Sequence, residues 1–235
     1  MGTVLKVTLG VVLGGMVLII GCSALLTAGS EDVGDEGRDE AAKVKVERTR
    51  LIYQPDQTGG RFHAAFVIVR NPSSEPVDVS GQVSVKENGR LIKSFEPTAT
   101  ILPRSRGILM DDALDLPQAV RRGKLETQLV STRSTEADSA PEVKISKLRY
   151  SKDEIASCKI SGTVAHNGKE TFEIRVNAIG YQGPRIVSGG FTFVEKVFPN
   201  SPATFDVDIA STALCPDQLD RMEAFWEPGP GGLSG

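Results

Sequence analysis

Few side chains in this 235-residue chain have the type and spacing to do chemistry: three cysteines, two histidines and a handful of charged clusters. Cys158 and Cys215 sit in no C-x-x-C and beside no histidine, which gives no support to a redox or nucleophilic role. A metal site needs several ligands converging, and His63 and His166 fall about a hundred residues apart, so both are expected to be structural. "MDDALD" (110–115) groups Asp111, Asp112 and Asp115, oxygen ligands of the kind that hold Ca²⁺. Their spacing fits no calcium loop, and a solvated turn is the expectation. "RRGK" (121–124) could meet an anionic polymer or lipid headgroup but is expected to be a solvated turn too. Gly189-Gly190 reads as a bulge or kink in a strand rather than a phosphate cradle. The sequence contains no GxSxG elbow, no HExxH and no P-loop. No catalytic, metal or cofactor-binding residue is therefore assigned, no cofactor is expected, and a non-enzymatic protein is anticipated.

The elements that would position any site begin with an anchor. From Val7 to Ser30 there is no charged residue, a run of 24, and a bilayer core takes about 20 apolar residues as helix. Lys6 precedes the run; Glu31, Asp32, Asp35, Glu36, Asp39 and Glu40 follow it against only Arg38 and Lys43. Positive charge stays inside, so the residues after about 31 are predicted outside the cytoplasm. Three forms of the leader stay open. Ile19-Ile20-Gly21-Cys22 resembles a bacterial lipobox, which would make Cys22 a lipidation site. The apolar run continues through Ala24-Leu25-Leu26, which favours an uncleaved helix, and full release by cleavage is the third form. All three export the body. In that setting Cys158 and Cys215 are expected to form a disulfide, with two buried free thiols as the alternative.

With 27 basic against 30 acidic residues the net charge is −3, which gives no electrostatic reason to expect nucleic acid as a partner. Hydrophobic residues at 40% and charged ones at 24% fit a globular body; 13 Pro and 24 Gly favour short strands and many turns. The expected organisation is an anchor or signal (1–30), an acidic linker (31–43), a β module (44–130), a polar linker (131–141), a second β module (142–227) and a tail (228–235). In the first module Val77, Val79, Val83 and Val85 alternate with polar residues, and "ENGR" (87–90) is an Asn-Gly hairpin turn leading to a return strand at Leu91-Ile92. "FHAAFVIVR" (62–70) is a β-branched-rich strand stopped by Asn71-Pro72. In the second, Phe172, Ile174 and Val176 alternate with Glu173, Arg175 and Asn177, and "RIVSGGFTFVE" (185–195) follows a Gly-Pro turn. At most a short helical turn near 113–122 or 211–220 is expected. Phe225 and Trp226 are expected to complete the second module's core.

The modules resemble each other: Val44-Lys45-Val46 matches Val143-Lys144-Ile145, and "FVIVRN" lines up with "ISGTVAHN". The second, "ISGTVAHNGKETFEIRVNAIGYQG … GGFTFVEKVFPNSPATFDV", resembles the FxLyD-type and related immunoglobulin-like modules of exported actinobacterial proteins. Gly162, Val164, Asn167, Tyr181, Gly183, Pro199 and Phe205 carry the likeness, while the family's Tyr-Asp pair is Tyr181-Gln182 here. The resemblance implies two tandem antiparallel immunoglobulin-like β-sandwiches at a cell surface, and no catalytic residues. A single large β-domain is the alternative. The expected role is to bind or scaffold another envelope component, expected to be a protein, with the membrane reached through the helix or lipid; a small molecule or glycan is the other ligand class.

Overall fold

In the computed structural model, residues 44–55, 61–117, 120, 122–134, 141–152, 157–211 and 215–229 are described. The leader, Cys22, the acidic linker and all but the first two residues of the tail lie outside them. Among the described residues there are thirteen strands and no helix, hence none long and apolar enough to cross a membrane.

The strands form where alternation and turn chemistry demand. In β3 (Val77–Glu87) the four valines are buried, while Asp78, Ser80 and Gln82 are exposed. Asn88 (φ 51°) and Gly89 (φ 79°) take the two positive-φ positions of the tight turn into β4 (Arg90–Phe95), conformations that Asn and Gly tolerate best. Asn71, fully buried, ends β2 (Arg61–Arg70): its Nδ2 donates to the carbonyls of Glu75, Ile101 and Leu102, and its Oδ1 accepts from Ser73.

The other strands of the first half are β1 (Lys45–Pro55), β5 (Ala99–Ile101), β6 (Arg106–Asp115) and β7 (Lys124–Arg133). They build one antiparallel sheet in the order β1-β2-β6 and a second in which β3 is flanked by β4 and β5 on one side and β7 on the other. The second half holds β8 (Val143–Lys152), β9 (Ser157–His166), β10 (Phe172–Gln182), β11 (Arg185–Val197), β12 (Ala203–Ser211) and β13 (Arg221–Pro228). Its sheets run β8-β9-β12 and β11-β10-β13, so the same pairing order recurs in both halves.

Alternating faces stack these four sheets into layers. Val67 and Val69 of β2 face Val77, Val79 and Val83 of β3 in one core. Ile160 and Val164 of β9 face Ile174 and Val176 of β10 in another. A third core joins the halves: Phe66 and Ile68 of β2, with Ile52 and Ile108, pack on Ile179, Tyr181 and Ile186. Strand β2 is therefore covered on both faces, and every residue from Ala64 to Val69 is fully buried. The described residues form one compact unit rather than separate beads.

Four sequence expectations need correction. "MDDALD" is not a turn; it is the end of β6, and the register with β2 slips between His63 and Ala65, leaving Asp112 and Ala113 as a bulge. Burial holds the Asp112 carboxyl above its usual range. Gly189 and Gly190 are in register with β10, and the bulge falls beside them at Val187. They are glycines because of close approach: a Cβ at Gly189 would lie 2.6 Å from the Phe66 ring, and one at Gly190 would strike the Asp208 carbonyl. Gly190→Ala is thus expected to cost about 1–3 kcal/mol, read as a lowered urea midpoint. The polar linker starts later than expected, since β7 runs to Arg133 and buried Ser134 donates its N–H to Pro76. Finally, Trp226 joins the second half's own core, but Phe225 faces the shared one.

Candidate binding cleft at the joint between the halves

The antiparallel register of β11-β10-β13 sets side chains from distant segments in rows on the face turned to the first half. Phe193, Arg175 and Glu227 make one row, Phe191, Asn177 and Phe225 the next, and Gly189, Ile179 and Glu223 the third. The third row meets the shared core. The first reaches β3 and β5, and there the joint opens into a cleft of about 420 Å³.

One wall of the cleft carries Asp78, Ser80 and Thr100; the other carries Arg175, Phe193 and Glu227. Glu227 is 8% exposed and accepts from Asn177 Nδ2 at 3.1 Å, with Arg175 Nη1 at 3.4 Å and the backbone N–H of Thr100 across the joint. Burial raises its pKa, against the opposing pull of Asn177, Arg175 and Thr100. The Arg175 guanidinium lies over the Phe191 ring, 4.1 Å from its centre, and Phe191 meets Phe193 edge-on at 5.6 Å. Opposite them, Thr100 Oγ1 donates to Asp78 Oδ1 at 2.7 Å.

The joint beside the cleft is fastened by charge. Glu47 accepts from Arg70 Nε at 2.6 Å and Arg106 Nε at 2.7 Å; Arg106 Nη1 reaches both oxygens of Glu223 at 3.1 Å. Tyr181 donates its hydroxyl to Glu223 at 2.9 Å, with Arg221 stacked on its ring at 4.0 Å. Arg48 adds a hydrogen bond to the Pro184 carbonyl. The hydrogen bond from Arg70, with the help of Arg106, holds Glu47 below the ordinary glutamate range. Burial and the bond to Glu223 raise Tyr181.

Glu47 and Glu227 impose opposite pH trends. A carboxyl held low in the folded state gives stability that is present above its unfolded value and lost as acid protonates it. A carboxyl held high does the reverse: the folded state binds the extra proton, so stability falls as pH rises from about 4.3 through the raised value. Melting temperature followed between pH 4 and 8 is expected to fall less with rising pH in Glu227→Gln than in the parent. Parallel curves would show that Glu227 does not titrate differently on folding.

The residues singled out in the sequence lie elsewhere. Cys158 and Cys215 are joined as a disulfide, Cα atoms 5.6 Å apart, tying β9 to the segment before β13. His166 is buried, with Val197 O 2.9 Å from Nε2 and the Gly168 N–H 3.0 Å from Nδ1; His63 is buried 5.3 Å from the Tyr53 ring. Among the described residues no three His, Cys, Asp or Glu side chains converge as a metal site. Arg122 and Gly123 lead into β7, whose first residue is Lys124; the Arg122 N–H is held by Glu87, and Arg121 lies outside the described residues.

No family model and no curated protein matches the chain. The likeness to FxLyD-type modules therefore rests on the quoted residues alone. Of those, Tyr181 gains a definite place, in the joint between the halves. Arg175 and Glu227 were not found by sequence reasoning. The one available signal was a pair of opposite charges on strands that are otherwise apolar on alternate positions.

Proposed function

We propose that this protein is a non-enzymatic, membrane-anchored, extracytoplasmic binding protein: two fused immunoglobulin-like sandwiches that bind or scaffold another cell-envelope component. The observation that carries the reading is the shared core. Two small sandwiches on a flexible linker would present their surfaces in every relative orientation. Phe66, Ile68, Ile179, Tyr181 and Ile186, all fully buried between the halves, instead hold a single rigid body with a fixed surface. Fixed geometry lowers the entropy lost when a partner docks. The recurrent pairing order, six principal strands per half, supports a duplicated immunoglobulin-like module. The uncharged run at 7–30 and the acidic stretch after it support tethering outside the cytoplasm.

Protease treatment of intact cells, followed by photocrosslinking from exposed positions such as Leu91 and Val130, tests the reading. Digestion from outside and a specific crosslinked neighbour are expected. A protein shielded from protease until lysis overturns the location, and crosslinks to nothing specific overturn the role. A second reading, a site for a small molecule or glycan, is favoured by the cleft at the joint.

A further inference from the structure

We infer that the cleft at the joint is a carbohydrate site, in which the apolar face of a neutral sugar ring lies on Phe193 and its hydroxyls meet Asp78 and Glu227. This deepens the binding-protein reading above and rests on it only for where the sugar would be encountered.

Sugar recognition needs an exposed aromatic face beside planar polar groups held in fixed orientations. Phe193 is 43% exposed although it belongs to a strand, and it is held from behind by Phe191, itself clamped under Arg175. Both carboxylates are oriented before any ligand arrives: Asp78 by Thr100 Oγ1, and Glu227 by Asn177 Nδ2 and Arg175. Each keeps acceptor capacity for a hydroxyl, and Ser80 adds a group that can donate or accept. Charge argues against an anion, because the cleft's one cation, Arg175, is matched by Glu227 and Asp78 adds a further negative group. The volume of about 420 Å³ lies within the range of small-ligand sites. Arg175 lines the cleft, and its Nε is buried without a hydrogen-bond partner in the protein.

The test uses the full chain in a detergent without a sugar headgroup. It is titrated calorimetrically with cellobiose, with the disaccharide of N-acetylglucosamine, and with inorganic phosphate as the charge control. Saturable binding of at least one disaccharide is expected, and none of phosphate. Phe193→Ala and Asp78→Asn should each weaken it about tenfold. Both positions are exposed, so melting temperature should stay within a degree or two of the parent. No saturable binding of either disaccharide, phosphate binding instead, or sugar binding that both variants leave unchanged would each overturn the proposal. Failure here with a specific crosslink on cells leaves the scaffold reading standing. Sugar binding by a protein shielded from external protease overturns the location and leaves the site.

Discussion

Replacing Tyr181 with alanine is expected to destabilise the protein by about 3–5 kcal/mol, the range for emptying a large aromatic from a packed core. Its ring is fully buried between the halves, with Phe66, Ile68 and Ile108 on one side and Ile179 and Ile186 on the other. Its hydroxyl donates to Glu223, the carboxylate that Arg106 also holds from the first half. Truncation therefore opens a cavity and loosens a cross-joint ion pair together. Tyr181→Phe keeps the ring and should cost only about 1 kcal/mol. Because the cavity is shared, amide exchange in β3 and in β9 should accelerate together. If only the second half lost protection, the halves would be energetically separate and the rigid-body reading would fail.

Removing the disulfide is expected to be nearly as damaging. The bond spans 57 residues of sequence, and loop closure of that length restricts the unfolded chain by about 4 kcal/mol on the chain-entropy account. The native state is arranged to accept it: Cys158 is fully buried in β9, and the segment after Cys215 is fixed by Tyr150, which donates to the Pro216 carbonyl, and by the Asp220 N–H, which donates to Tyr181 O at 2.9 Å. A Cys158→Ala, Cys215→Ala variant should show a urea midpoint lowered in proportion, and the reduced parent should match it. Equal midpoints with and without reductant would mean the bond contributes nothing to folding.

How much of this was legible depends on whether the deciding interaction is local. The valines of β3 and the Asn88-Gly89 turn were readable because a period of two and a positive-φ pair are written within the thirteen residues from Val77 to Gly89. The cysteine pairing needed only arithmetic and the expectation of an exported body. Ala64 to Val69 did carry a signal, a continuous apolar run without alternation, which is what a strand covered on both faces requires. What covers the second face could not be read, because the partner residues lie more than a hundred positions away. "MDDALD" misled for the opposite reason: three acids in six residues look like a loop, yet a bulge lets an edge strand carry them. The cleft was illegible altogether. Arg175, Phe193 and Glu227 come together only through the register of three strands, and Asp78 and Thr100 only through the packing of one half on the other.

The doubly covered β2 also sets an order of events in the life of the chain. Synthesis delivers the first half before the strands that will cover it exist. Until β10, β11 and β13 have emerged, Phe66, Ile68 and Ile108 must stand as an open greasy sheet, bordered by an Arg106 that has Glu47 but not yet Glu223 as a partner. A nascent chain in that condition is a ready target for chaperones and for its own neighbours, and the window closes only when β13, the last of the described strands, docks.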